Sequence, residues 1–437
     1  MLNQSNKWVE EVDYYLKTLF PITRSITGNG NRETLEILQK IVSFEIKEYS
    51  SNLPVYDWVI PDEWKINDAW IKDSNGNKLI DFKKSNIHIV SYSEPLNKSM
   101  LFEELKNHLY FDQDFPEAIP YRTSYYKRDW GFCVNQSQYK LLSESEGYLE
   151  VVIDSEFNSQ GSLSIGEMLI PGESKKEILI STYFCHPSLA NDNLSGLIMT
   201  TFLARELANR KKLKFSYRVV WVPETIGSIA YCAMNEKAMK KIDMGLVITT
   251  VGGPGIFSYK QSWQPQHPIN RMIEEVFNEA EKEFIQYPFD VHGSDERQYS
   301  SQGFRINIAT IAKDKYYDYP EYHTSLDNLS LVNGSQILKT FELYVQLIDK
   351  FEARCVYKNT VLNCEVMLSR RGLYPAQGGS QRPELEGKSE LDLILWILFL
   401  SDGEKSTTDI AIEIGIKESI IINLCKNLEM KGVITKI

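Results

Sequence analysis

Between Ile178 and Phe351 short apolar runs alternate with stretches of helical spacing, and this alternation limits the fold more than any other feature. Ile178 to Phe184 is apolar with little alternation and stops abruptly in polar residues, as a buried strand does. Leu197, Ile198, Phe202, Leu203 and Leu207 then recur at helical spacing. Phe215 to Pro223 and Met244 to Val251 read as two further strands, with a helix starting near Ser228 between them. Ile269, Met272, Ile273, Val276 and Phe277 mark a helix over residues 267–284. A strand at Ile306 to Ile311 and a helix from about Gly334 to Phe351 close the series. Such alternation predicts an α/β fold with a mixed, largely parallel sheet flanked by helices.

The polar residues that end these strands carry the chemistry. His186 sits just past the first strand, and Asp192 lies in the short loop before the helix at Gly196. Glu224 follows Pro223 directly, and His323 comes after the strand at Ile306 to Ile311. Taken alone, His186 and Asp192 read equally well as a core histidine and a helix-capping aspartate. In an open α/β sheet, however, ligands collect beyond the carboxyl ends of the strands. Four residues of metal-ligand type, each at such an end, predict one site for a divalent metal such as zinc. His88, His108 and His267 have no supporting neighbours, and His292 stands outside the pattern. Cys185 abuts His186, but continued strand alternation would turn its side chain to the opposite face.

The order His186, Asp192-Asn-Leu-Ser-Gly196, Glu224-Thr-Ile-Gly227 and Tyr322-His-Thr-Ser-Leu-Asp327 resembles the zinc aminopeptidases of the M28 type. It is more similar still to a bacterial aminopeptidase-like branch associated with polysaccharide biosynthesis. The strings carrying that likeness are Thr23-Arg-Ser-Ile-Thr-Gly28, Arg122-Thr-Ser-Tyr-Tyr126, Trp130-Gly-Phe-Cys133, Gly293-Ser-Asp-Glu-Arg-Gln-Tyr299 and Tyr319-Pro-Glu-Tyr-His-Thr-Ser325. The resemblance implies zinc-dependent amide hydrolysis, with His186, Asp192 and His323 as metal ligands and Glu224 as general base. M28 enzymes commonly carry two zinc ions and have two adjacent glutamates at this motif. Here Thr225 replaces the second, and Thr249-Thr250-Val251-Gly252 lacks the aspartate expected after the next strand. Each zinc position thereby loses a ligand, which leaves one three-ligand zinc site with a fourth position open to water.

The same two absences would also suit a binding scaffold that has lapsed from catalysis. A deacylase of an amino sugar or small acyl-amide is the other alternative, suggested by the glycan association alone. In the loop Gly293 to Tyr299, Arg297 could fork onto a carboxylate or phosphate, and Asp295 or Glu296 could hold a substrate amine. An internal ion pair is the competing reading there. Arg122 and Tyr322 are expected beside the substrate, although the Arg122 stretch equally suits a domain interface. The expected partner is a small peptide or amide.

Residues 50–160 change character, with alternating segments punctuated by proline and asparagine, and predict an inserted small β domain. Residues 1–48, largely helical, then join 162–375 as the catalytic domain. Gly378-Gly379-Ser380 and Pro383 mark a linker to residues 385–437. Helices over Glu390 to Leu400, Ser406 to Gly415 and Lys417 to Lys431, followed by Val433-Ile434-Thr435, form a winged-helix pattern. From Glu384 onward six lysines face ten acidic residues, a net of −4, so DNA binding is not expected. Protein contact or homo-oligomerisation is the expected role. The whole chain, at −11, is ill suited to nucleic acid or an anionic membrane. No signal segment or membrane-length apolar run is read, and six scattered cysteines predict free thiols in the cytoplasm.

Overall fold

The computed structural model describes residues 2–374 and 389–437, so the Gly378–Pro383 linker lies outside the described residues. The chain forms two compact units, Met1–Leu347 and Ile348–Ile437. An eight-stranded sheet organises the first. Its order is Glu45–Ser50, Ser162–Ile170, Ser216–Val222, Glu177–Tyr183, Met244–Val247, Asn307–Ala312, Phe257–Lys260 and Phe284–Tyr287. The four central strands, Ser216–Val222 to Asn307–Ala312, run parallel. Antiparallel pairings flank them on both sides, which makes the sheet mixed around a parallel core.

Ser216–Val222 is buried at every position, as a parallel strand with covered faces must be. Its one charge, Arg218, is matched by Glu167 and by Glu177 at 2.6 Å, with the Tyr231 hydroxyl at 2.8 Å. Tyr183 lies opposite Val222 in the parallel register, so the segments bearing His186 and Glu224 leave the sheet side by side. The helix expected over 267–284 ends at Glu279, after starting with Pro268 in its first turn. Glu281 then adopts a left-handed conformation, and Phe284–Tyr287 pairs with Phe257–Lys260. The bulky Phe-Ile-Gln-Tyr run extends the sheet rather than the helix.

A four-stranded antiparallel sheet lies between Ser50 and Ser162, in the order Lys78–Asp81, Glu63–Lys72, Leu149–Asn158 and Leu96–Met100. Beyond it, residues 119–121 run alongside the loop bearing His323. Tyr121 N–H donates to the His323 carbonyl at 2.7 Å, and Ser325 N–H donates to the Ile119 carbonyl at 2.9 Å.

The second unit is a winged helix. Helices Glu390–Leu400, Thr407–Ile414 and Glu418–Met430 pack on an antiparallel sheet ordered Asp402–Ser406, Val356–Asn359, Ile434–Lys436. The expected start at 385 is therefore corrected upstream. Val356–Asn359 is the middle strand of that sheet, and Val366 and Leu368 belong to the same core as Ile394 and Ile397. Long-range pairing drew this strand in, and no local pattern announced it.

Candidate metal centre

Three of the strand-end residues converge. One ligand atom each from His186, Asp192 and His323 lies within 4.8 Å of the other two. His323 Nε2 is 2.9 Å from Asp192 Oδ2, and His186 Nε2 is 4.0 Å from the same oxygen. Ligands at 2.0–2.2 Å around a tetrahedral zinc stand roughly 3.4 Å apart, so these separations bracket what one ion requires. The His323 Nε2 atom is buried and has no hydrogen-bond partner, even though it faces a carboxylate oxygen. An orphaned nitrogen pointed at a carboxylate fits a cation between them better than a hydrogen bond.

Each of these side chains is held by its surroundings. Asp192 lies in the turn Ala190–Ser195, whose Asn191 and Asp192 N–H groups donate to the Asp327 carboxylate at 2.6 and 2.9 Å. Tyr319 adds its hydroxyl to Asp327 at 3.0 Å. The Tyr183 hydroxyl donates to Asp192 Oδ1 at 2.5 Å, which leaves Oδ2 for the histidines. The ring of His323 stacks on Tyr322 at 3.9 Å, and Tyr121 meets it edge-on at 5.4 Å. Asp327→Ala should strip acceptors from two buried N–H groups and destabilise the fold by about 3 kcal/mol. Urea unfolding checks this, and a loss under about 1 kcal/mol would remove Asp327 from that role.

Protonation states match the ligand role. Burial drives the imidazolium of His186 down to about 4, so the ring is neutral. Burial alone would raise Asp192, but His186, His323 and the Tyr183 hydroxyl outweigh it and hold the carboxyl at about 2. Burial pushes Asp327 up to about 7 against its hydrogen bonds.

Glu224 completes the site. Its Oε2 is 3.9 Å from His186 Nε2, and its Oε1 accepts the Ser294 hydroxyl at 2.7 Å. Burial, then the charges of Asp295 and Asp192, push its carboxyl well above the ordinary range; its side chain is still 27% exposed. The next residue, Thr225, has φ 63° and ψ −76°, and Ile226 N–H donates to the Glu224 carbonyl at 2.8 Å. This is the strained hand of the γ-turn, costly for a β-branched residue. Asp295 secures it by accepting the Thr225 N–H and the Ser228 hydroxyl, both at 2.8 Å.

The remaining expected site residues divide. Tyr322 lies at the site, against His323. Asp295 and Glu296 are corrected: both are buried, and substrate has no access to them. Asp295 braces the turn beside Glu224, with its carboxyl pushed up to about 7 by burial, while Glu296 accepts from Tyr316 at 2.7 Å and Thr310 at 3.2 Å. Arg297 is exposed and reaches the Val291 carbonyl, at 3.5 Å. Arg122 is exposed, and it is the neighbouring Tyr121 that lies against both histidine rings. Cys185 is also corrected. The strand ends at Tyr183, so its alternation stops before Cys185, whose Sγ lies 3.5 Å from His186 Nδ1 and accepts the Glu224 N–H at 3.3 Å. Cys185, His186 and Glu224 form a second group of potential ligands within 4.8 Å.

A family model described as a domain of unknown function (DUF4910) matches residues 14–354, and a winged helix-turn-helix model matches residues 355–436. A Clostridium acetobutylicum protein, named for polysaccharide biosynthesis and an aminopeptidase-like domain, is 40% identical over 423 residues, 95% of each chain. A crystal structure from the same organism, provisionally described as a peptidase, superposes with a TM-score of 0.81 at 38% identity. It covers 100% of this chain and 98% of that one. A zinc aminopeptidase from Bacillus subtilis matches with a TM-score of 0.57 at 12% identity, over 79% of this chain and 95% of its own; it shows the shared fold.

Proposed function

Because the chain belongs to the DUF4910 family and has the zinc-aminopeptidase fold, we propose that it hydrolyses amide bonds with one zinc ion per chain. The convergence of His186, Asp192 and His323 with Glu224 alongside carries this reading. The three donors present two imidazole nitrogens and one carboxylate oxygen, a set that suits zinc and leaves a fourth position open. Zinc held there would acidify a water molecule and polarise an amide carbonyl. Glu224 Oε2 takes the proton and later returns it to the leaving amine. Ser294 fixes the other oxygen.

The substrate is a peptide amino terminus or another small amide. The relative's polysaccharide-biosynthesis name supports a second reading, deacylation of an amino-sugar amide. Aminoacyl 4-nitroanilides and N-acyl amino sugars, assayed in parallel with the zinc-loaded chain, separate the two. Turnover of neither, with zinc bound, would favour a metal-binding scaffold.

Cys185 supports the first ligand. A proton on His186 Nδ1, shared toward Sγ, leaves the Nε2 lone pair facing Asp192. Cys185→Ala should weaken zinc binding by roughly 10-fold or more, read by competition with a chromogenic chelator. An unchanged affinity would make Cys185 a packing residue only.

Among the described residues no helix is long and apolar enough to cross a membrane. All six cysteines are free, which supports a reducing, cytoplasmic setting. The winged-helix unit is read as a protein-contact or self-association module, because from Glu384 onward ten acidic residues face six lysines and Leu395, Trp396 and Phe399 are exposed on the helix Glu390–Leu400. Labelled duplex DNA titrated at about 0.15 M salt should show no binding tighter than about 10⁻⁵ M. Tight, salt-sensitive binding would overturn that assignment.

A further inference from the structure

The helix Glu390–Leu400 has no polar face. From Leu391 to Leu400 every residue but Asp392 is apolar, and a helix apolar all round is ordinarily buried on every side. Ile394, Ile397 and Leu398 join the core of the second unit, while Leu395, Trp396 and Phe399 are exposed. Trp396 and Phe399 are 46% and 79% exposed, which leaves roughly 250 Å² of aromatic surface in water. A groove of about 490 Å³ is lined by this face and by residues 364–366. An apolar cavity of about 150 Å³ accommodates benzene, so the groove has room for a phenylalanine ring and a neighbouring side chain. Charges of both signs lie in the same patch. Glu365 and Asp392 line the groove, and neither has a basic partner among the described residues. Arg370 and Arg371 follow in the turn Ser369–Arg371 without a carboxylate partner there, Arg371 donating to the Met367 carbonyl at 3.3 Å.

Resting on the reading of this unit as a contact module, we infer that the patch is the interface of a two-fold dimer, covered by a second copy of this chain. Phe399 of each copy enters the other's groove, and Arg370 and Arg371 meet the partner's Glu365 and the partner's Asp392. A two-fold axis requires one patch to present both halves of every contact. This patch presents a projecting ring together with a hollow, and cations together with anions. A foreign partner would need one half of each. The aromatic surface alone is nearly a third of the roughly 800 Å² that each partner buries in a standard interface. Residues 355–436 hold ten basic and eleven acidic side chains, a net of −1, so two such units approach with little repulsion.

Sedimentation equilibrium on the full chain tests this. The wild type should show twice its 50.5 kDa chain mass, with a dissociation constant below about 10 µM. Phe399→Asp, a change at an exposed position, should weaken association at least about 100-fold while thermal unfolding stays the same. Arg370→Glu with Arg371→Glu should weaken it about tenfold, and adding Glu365→Arg should recover most of that loss. A wild type still monomeric at about 100 µM would overturn the interface. So would a dimer indifferent to Phe399→Asp, or an arginine reversal that Glu365→Arg does not offset. The DNA titration above judges the contact-module reading separately, since tight duplex binding would fail that reading whatever the mass.

Discussion

Glu224→Gln is expected to keep about one zinc per chain while lowering kcat by about 10³-fold. The substitution preserves shape and the Ser294 contact but removes the oxygen that accepts a proton, and a positioned general base is worth about 10²–10⁴ in rate. The loss should fall on kcat, with KM nearly unchanged, because the proton moves only in the transition state. Burial with nearby Asp192 and Asp295 charges raises the carboxyl of Glu224, so relieving that repulsion should leave the fold no less stable. Thermal unfolding and metal analysis on the same preparation check both halves. Turnover within about threefold of wild type would remove Glu224 from the chemistry and return attention to a bare metal-binding role.

The second large effect concerns the ion itself. His323→Ala should reduce bound zinc from about one per chain to near zero after dialysis, and Asp192→Asn should do the same. Losing one of three protein donors leaves too few to hold the ion against solvent. The fold should survive His323→Ala, since its ring is 31% exposed and the loop's backbone contacts to residues 119–121 are untouched. Asp192→Asn should keep the fold as well, because its amide oxygen can still accept the Tyr183 hydroxyl inside the protein. Two zinc ions in the wild type would mean that Cys185 and Glu224 serve a second ion with His186, as their grouping permits.

Much of this site was legible in the sequence, for a physical reason. A parallel sheet sends its strand ends to one edge, so residues just past apolar runs become neighbours without knowledge of the loops. His186 and Glu224 were found this way, and Tyr183 facing Val222 across the register explains why. His323 was harder to place, since it lies eleven residues beyond Ala312 in an irregular loop, and only its order among the other motifs pointed to it. What stayed hidden were contacts that no local period encodes. Tyr121 reaches the histidines from the inserted domain, and Asp295 turns inward to a γ-turn beside Glu224. Cys185 was misassigned because alternation was extended past Tyr183, where the strand had already ended. Val356–Asn359 was likewise invisible as part of the winged helix, because its two partners lie more than forty residues away in sequence.

The pairing of residues 119–121 with His323 to Ser325 bears on ancestry as well as geometry. Ile119 N–H also donates to the Ser325 hydroxyl at 3.0 Å, across 206 residues of chain. An accessory domain usually can be lost or exchanged while the host keeps its chemistry. Here the host borrows the backbone that steadies His323 from the guest, so excising the guest should unsettle the loop around His323. The two are expected to have been inherited as a single block, and a homologue shortened by deletion of the β domain should be found only where the loop around His323 has been rebuilt.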